Sequence, residues 1–497
     1  MMKRAYMLVH ELNVNKGGMT TAMLTRSKAF YDHHIKGDIV TFDYKQNYPE
    51  ILKALVKEGK MDSRTKMYNP FRYFRHQSNQ KLRRPNKRLI HNLKASLKHT
   101  VEIKASDTQS RFFDIKTGEY VAYRRQRQFD SFYDLFHNNK RYQRMYVKNK
   151  KVHKVDVFNE KNKLIAERFF DRKGYLYLYR QFDGDKIGKV YLINEQKQFK
   201  NNVEFCAYYL DQLIKDKENR LLICDGPGNL PKMLSTHHQK VKKTVVLHAN
   251  HYEKIDGKDT LKSEMAYILD RASRIDRIIT LTEAQSRDIQ EEFHINNVTS
   301  ISNFVNIPSL SNDMHYPKVV GFISRLVEDK GVPYIIDIAK EVQKRDPEIE
   351  FHIYGKGPKE KPLLEAIEEH QLQEVIQVHG YTKDVSSKLI NFGCFLSTSQ
   401  NEGQGLSMIE AMLHQRPVLA FNVKYGPKDL IKDGINGYLI DNLDMQTMAQ
   451  RIVTLLNDAT LTRDMGKKAR KMMIEHYQTS HLIEQWKKIF EGEVKSD

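Results

Sequence analysis

An alternation of strand and helix signals opens this chain, stops near residue 78 and resumes near Val203, and the stretch between has a different period. Arg4-Ala5-Tyr6-Met7-Leu8-Val9 reads as a strand. A loop carrying Gly17-Gly18 follows, then a helix from Met19 to Phe30, a second strand at Ile39-Val40-Thr41-Phe42 and a helix from Tyr48 to Lys57. Such alternation specifies a parallel, doubly wound sheet, because parallel neighbours are joined by helical crossovers. Residues 78–204 instead carry short aromatic-rich runs separated by polar turns. Arg111 to Ile115 and Glu119 to Tyr123 flank Lys116-Thr117-Gly118, the pattern of a hairpin. Gln143 to Val147, Val152 to Phe158, Leu164 to Phe170 and Tyr175 to Tyr179 continue the series, with turns at Asn149-Lys150, Asn159 to Asn162 and Asp171 to Gly174. Consecutive antiparallel strands of this kind make a β-meander, here an insertion into the parallel fold.

The alternation then resumes. Leu221 to Asp225 reads as a strand ending in Gly226-Pro227-Gly228, and Thr244 to His248, Arg277 to Leu281 and Ser300 to Val305 read as further strands. After a polar linker from Ser309 to Pro317, a second series runs through Val319 to Ile323, Phe351 to Gly355, Ile376 to Gly380, Cys394 to Ser397 and Pro417 to Phe421. From about Leu461 the chain reads as helical and charged. The expected architecture is α/β, with two doubly wound Rossmann-like domains and a β-meander inserted in the first. The expected boundaries are 1–77 with 205–312 for the N-terminal domain, 78–204 for the insertion and 313–480 for the C-terminal domain. The segment 481–497 is expected as a terminal helix packing back on the N-terminal domain. Ligands in such sheets bind beyond the carboxyl ends of the strands, so two domains side by side create a cleft.

Composition narrows the partners. Lys and Arg number 82 against 62 Asp and Glu, a formal charge of +20 that concentrates polyanions near the surface. Nucleic acid, an anionic membrane surface and a polyanionic substrate all fit that charge. The chain has no recognised RNA- or DNA-binding motif, so nucleic acid is not the expected partner. Cys206, Cys224 and Cys394 are scattered and form no CxxC pair, which reads as buried thiols with neither a zinc site nor a disulfide framework. No run approaches the ~18 apolar residues of a membrane span. The apolar run near the N-terminus is too short for the core of a signal peptide and no small-residue cleavage site follows it, so a cytoplasmic location is expected.

Three strand-end loops carry groups suited to a nucleoside diphosphate. Ser324-Arg325-Leu326-Val327-Glu328-Asp329-Lys330-Gly331 follows the first strand of the second series. The Arg325 guanidinium and Lys330 ammonium can neutralise a departing diphosphate without a metal ion. A surface basic pair at a helix start fits this loop equally well. Gly17-Gly18 precedes a helix and lets backbone N–H groups approach a phosphate, although a plain tight turn has the same sequence. Glu402-Gly403-Gln404-Gly405-Leu406-Ser407 opens a helix whose N–H groups also suit phosphate, and Glu410 lies within that helix. Glu402 would face sugar hydroxyls and Glu410 would accept from ribose hydroxyls; the alternative is an acidic residue favoured by the helix dipole and an exposed helical carboxylate. His248, at a strand end, is a further cleft candidate, while His251 and His237-His238 receive no metal role.

Together Gly17-Gly18, His248, Arg325 with Lys330 and the Glu402–Glu410 pair resemble glycosyltransferase family 4, the retaining GT-B enzymes. The inserted meander, with the stretches His10 to Thr20 and Ser397 to Met412, looks similar to wall teichoic acid α-glycosyltransferases of staphylococcal type. The resemblance implies a C-terminal domain that binds UDP-glucose or UDP-N-acetylglucosamine, no cofactor or metal, and an N-terminal domain facing a polyanionic teichoic acid acceptor. Arg325, Lys330, Glu402 and His248 are then the expected catalytic group. Gly17, Gly18, Gly403, Gln404, Gly405, Leu406, Ser407 and Glu410 are the expected donor-binding group. The reading favours glucose transfer to poly(glycerol phosphate). Its alternatives are N-acetylglucosamine transfer to poly(ribitol phosphate), glycosylation of a Ser-rich adhesin, and a non-catalytic accessory subunit. A homotrimer assembled through the insertion and peripheral association with the inner membrane face are also implied. The basic groups Lys81, Arg83, Arg84, Lys87 and Arg88, and Arg124, Arg125 and Arg127, are expected to hold the polymer or to be a solvated face.

Overall fold

The computed structural model describes residues 3–14, 17–77, 93–215, 219–238, 240–255, 258–311 and 314–492. The basic group from Lys81 to Arg88 and the last residues of the expected terminal helix lie outside the described residues.

Strands β1 (Arg4–Val9), β2 (Lys36–Thr41) and β3 (Met67–Tyr68) begin the fold. The insertion follows as β4 (Thr100–Ser106), β5 (Gln109–Asp114), β6 (Tyr120–Gln126), β7 (Ser131–His137), β8 (Lys140–Lys148), β9 (Lys151–Phe158), β10 (Leu164–Phe170), β11 (Leu176–Asp183), β12 (Lys186–Leu192) and β13 (Lys197–Phe199). The first domain resumes with β14 (Arg220–Cys224), β15 (Lys242–Val246), the hairpin β16 (Tyr252–Ile255) and β17 (Lys258–Leu261), then β18 (Arg277–Thr280) and β19 (Val298–Ser300). The second domain contains β20 (Val319–Ile323), β21 (Glu350–Tyr354), β22 (Ile376–Gly380), β23 (Cys394–Ser397), β24 (Val418–Phe421) and β25 (Gly437–Ile440).

These strands make two all-parallel sheets, seven strands in the order β19-β18-β15-β14-β1-β2-β3 and six in the order β22-β21-β20-β23-β24-β25. Helices cover both faces of such sheets, so strands such as β23 and β24 are buried at every position and apolar apart from Ser397. The meander is a ten-stranded antiparallel sheet whose spatial order is its chain order. Several of its strands, among them β4, β7, β12 and β13, were not marked by the aromatic runs; β4 is exposed along most of its length.

The insertion is not a separate body. Phe169, Tyr177, Leu178, Val190, Leu192 and Phe199 from its second half share one core with Tyr6, Leu8 and Val40 of the parallel sheet. Its first half has its own small core around Phe112, Leu135, Met145 and Val155. The chain enters and leaves the insertion through well-capped helices. Asn69 accepts from the Phe71 and Arg72 amides at the start of Pro70–His76, and Asn201 accepts from Val203 and Glu204 at the start of Asn202–Ile214.

One sequence-based strand is corrected. The run from Ser300 to Val305 enters the sheet only through β19, which ends at Ser300. Ile301 and Phe304 are apolar because they are buried beside the first sheet, and Asn303 turns toward the second domain. The helix Thr479–Glu491 returns to the first domain, where Trp486 meets Phe30 edge-on at 5.4 Å. Its Leu482, Ile483, Ile489 and Phe490 join the same core. No described helix is long and apolar enough to cross a membrane.

Candidate active site

In each parallel sheet the strand order reverses at one point, between β1 and β14 in the first and between β20 and β23 in the second. Loops diverge at such points and leave a crevice at the carboxyl edge. The sequence-predicted residues lie on these edges: Gly17-Gly18 after β1, His248 after β15, Arg325 and Lys330 after β20, and Glu402 to Ser407 after β23.

The two edges touch. A Cβ added at Gly403 would lie 2.4 Å from the His248 carbonyl oxygen and 2.9 Å from Ala249 Cα, so only glycine lets these backbones meet. Hydrogen bonds line the seam. Asn250 Nδ2 donates to the Lys424 carbonyl at 3.1 Å, Asn401 Nδ2 to the Tyr252 carbonyl at 2.8 Å, and Asn303 Nδ2 to Gln404 Oε1 at 2.8 Å. Asp288 receives both Lys424 Nζ and the Tyr425 hydroxyl at 2.6 Å. These seam residues carry no motif, and local pattern reading passes over them.

Lys330 and Glu402 are brought together. Lys330 Nζ is paired with Glu402 Oε1, which also accepts from Ser399 Oγ at 2.8 Å. The two side chains are only 17% and 11% exposed, so the pair is screened weakly by solvent. Its backbone support is tight. Thr398 Oγ1 donates to the Lys330 carbonyl at 2.9 Å, and Gly331, at φ 63°, packs so closely that a Cβ would sit 1.9 Å from the Thr398 oxygen. Arg325 is exposed and has no partner among the described residues. Its loop rests on Gly355 and Gly357, where a Cβ would meet the Ser324 carbonyl at 1.9 Å and the Leu326 carbonyl at 2.2 Å. This Gly-Lys-Gly after β21 was missed in the sequence, although glycines just beyond a strand are a usable signal of close approach.

The helix Leu406–Leu413 begins after Gly405 at φ 87°, and has no acidic residue in its first turn. Its first N–H groups have no intrahelical partner, which makes this end a ready anion site. The Gln404 side chain is engaged by Asn303 and by the Tyr477 hydroxyl at 3.2 Å, leaving its backbone N–H as the group available for a ligand. Burial pushes the Glu410 carboxyl up to about 7, with no cation beside it. At Gly17 and Gly18 an added Cβ would meet nothing within 4 Å, but Gly18, at φ 55° and ψ −113°, holds a backbone conformation that favours glycine.

His248 has a support that sequence reading did not detect. Its Nε2 lies 2.8 Å from Asp225 Oδ1, and Asp225 is ion-paired with Arg26. Asp225 ends the stretch read as a strand, and Arg26 sits mid-helix, positions at which neither residue announces a role. His251 is buried and stacks on Tyr425 at 5.8 Å, while His237 lies against Asp211 at the surface. All three cysteines are buried and free. Of the second basic group, Arg124 is bonded to Glu102 at 2.8 Å and Arg127 to Asp130 by two 2.7 Å bonds. Arg125 is the one of the three without an acidic partner among the described residues.

Two facing parallel sheets whose switch points meet across a glycine seam, with cations and helix N-termini on the facing edges, define a GT-B glycosyltransferase. Residues 311–472 match the family model described as glycosyl transferases group 1. Over 491 residues, 98% of this chain and 100% of the relative, the chain is 46% identical to a poly(ribitol-phosphate) α-N-acetylglucosaminyltransferase of Staphylococcus aureus. It is 26% identical over 536 residues to a poly(glycerol-phosphate) α-glucosyltransferase of Bacillus subtilis, covering 97% of this chain and 74% of the relative. A crystal structure of a mutant of the S. aureus enzyme TarM with fondaparinux, α-GlcNAc-glycerol and UDP superposes with a TM-score of 0.93 at 46% identity, covering 98% of this chain and 100% of that one. The chain belongs to the glycosyl transferases group 1 family and, within it, to the teichoic acid α-glycosyltransferases.

Proposed function

We propose that the chain transfers N-acetylglucosamine from UDP-N-acetylglucosamine to poly(ribitol phosphate), forming an α linkage with retention. The supporting observation is the 46% identity to the ribitol-phosphate enzyme over the whole chain, meander included, against 26% to the glycerol-phosphate glucosyltransferase. The expectation of glucose on glycerol phosphate therefore gives way to its alternative. In this reading the bond from the sugar to the diphosphate breaks while a polyol hydroxyl adds on the same face, and its proton leaves to the departing phosphate oxygen. Arg325 and Lys330 stabilise that oxygen, where negative charge grows most during the step. Glu402 holds both Lys330 and the sugar, Glu410 accepts from the ribose hydroxyls, and the amides of Gly403 to Ser407 with the Gly17-Gly18 turn line the phosphates. His248 lies beside the sugar and acceptor. No metal is assigned, since the two cations supply the charge. Turnover of UDP-glucose and UDP-N-acetylglucosamine against both polymers and a Ser-rich peptide tests the assignment. The expected result is transfer from UDP-N-acetylglucosamine to poly(ribitol phosphate). Faster glucose transfer to poly(glycerol phosphate) restores the sequence expectation, transfer to the peptide identifies an adhesin enzyme, and no UDP release with any acceptor indicates an accessory subunit.

A pH dependence follows from Glu410. A carboxyl raised to about 7 is largely neutral below that pH, and a neutral acid is the weaker acceptor for ribose hydroxyls. UDP affinity is expected to rise from about pH 5 to about pH 8 more steeply in the native chain than in Glu410→Gln, with titration of UDP itself common to both. Folding stability moves the other way. The unfolded carboxyl ionises first, so stability falls between the ordinary carboxylate range and about 7, and Glu410→Gln removes that fall. Calorimetric titration of UDP across this range checks it, and parallel curves for the two proteins remove Glu410 from the ribose site.

A further inference from the structure

Asp225 is 1% exposed, and its Oδ1 meets two partners, His248 Nε2 at 2.8 Å and the Arg26 guanidinium. Arg26, itself 4% exposed, lies 5.2 Å over the ring of Trp486, so the terminal helix completes the wall behind the pair. Burial alone would push the Asp225 carboxyl up, but Arg26 and His248 outweigh it and hold it below the ordinary range, so it remains a carboxylate at neutral pH. A carboxylate can only accept, so His248 Nε2 carries a proton, and in the neutral imidazole it is Nδ1 that keeps the lone pair. Nδ1 has no partner among the described residues, and the His248 carbonyl is the group pressed against Gly403.

We propose that Asp225, fixed by Arg26, is a positioning residue that holds His248 as the Nε2–H tautomer, with Nδ1 presented to a hydroxyl of the bound sugar or acceptor. The proposal rests on the cleft being the transfer site. A buried charge pair is an expensive way to hold a histidine that only packs, because each ion loses its hydration and is recovered only through its partner. Its location at the first sheet's switch point, one bond from a cleft histidine, gives that cost a purpose. Asp225→Asn keeps the size of the side chain and removes the obligatory acceptor.

The test is a double-mutant cycle in the full chain. Asp225→Asn is expected to lower kcat by about 10²-fold while leaving UDP affinity within about threefold, because Asp225 acts through His248 and is not assigned to the nucleotide. In a His248→Ala background the same change should have no further effect, within about twofold. Nitrogen-15 NMR of His248 should report a protonated Nε2 in the native chain. Where Asp225→Asn alone leaves Arg26 stranded and the chain unfolds, the neutral double variant Arg26→Gln/Asp225→Asn gives the same comparison. The proposal is overturned by near-native turnover in Asp225→Asn, by an equal loss in the His248→Ala background, or by a protonated Nδ1. Near-native turnover in His248→Ala would instead remove His248 from the transfer site, and the proposal with it.

Discussion

Lys330→Ala is expected to reduce transfer by at least about 10³-fold, roughly 4 kcal/mol of transition-state stabilisation, while the chain stays folded. Two effects act together. The ammonium assigned to the departing diphosphate is lost, and Glu402 keeps its carboxylate at 11% exposure with only Ser399 still donating to it. Glu402 then loses the Lys330 contact that fixes its direction. Glu402→Ala should be comparably inactive for the complementary reason, since it frees Lys330 to swing away from the place it holds now. Neither side chain contributes to the hydrophobic clusters, so circular dichroism should keep the native signature, with a lowered melting temperature from the unpaired partner left behind but a folded chain at assay temperature. Sugar transfer followed with labelled donor checks both variants. Near-native turnover in either would remove the pair from the reaction.

Gly403→Ala is expected to cost about 10²-fold in turnover through geometry alone. The new Cβ would lie 2.4 Å from the His248 carbonyl and 2.9 Å from Ala249 Cα, both backbone atoms that cannot rotate away. The loop after β23 must therefore move off the loop after β15. That movement shifts Glu402 on one side and His248 on the other, so donor and acceptor groups lose register together. The fold should survive, because the seam is polar and each domain keeps its own core. Steady-state kinetics with a thermal melt distinguishes the two effects. Unchanged turnover would mean that the domains do not react in the contact described.

Much of the fold was legible because its periods are local. The strands β10, β20, β22 and β23 lie at the positions their apolar runs predict. The edge strand β4 was not legible, since it carries no aromatic residue and leaves its alternating Val101 and Ile103 exposed. Ser300 to Val305 misled for the opposite reason: its apolar residues serve the core beside the seam rather than a strand. The candidate site divides in the same way. Arg325 with Lys330, and Glu402 with Glu410, each fall within one strand-end loop and its helix; either pair alone also fits a charged helix end, and only the two read together pointed to a nucleotide diphosphate.

The sequence by itself determined the two parallel sheets, the intervening meander and the loops that carry chemistry, because each is written in a contiguous stretch. Tertiary structure alone decided which loops meet. Lys330 finds Glu402 across 72 positions and Arg26 finds Asp225 across 199. Gly403 is glycine because of a backbone from the other domain, and the second half of the meander is buried in a core it shares with the first sheet. These contacts depend on shape and charge at sites far apart in the chain, which a local period does not record.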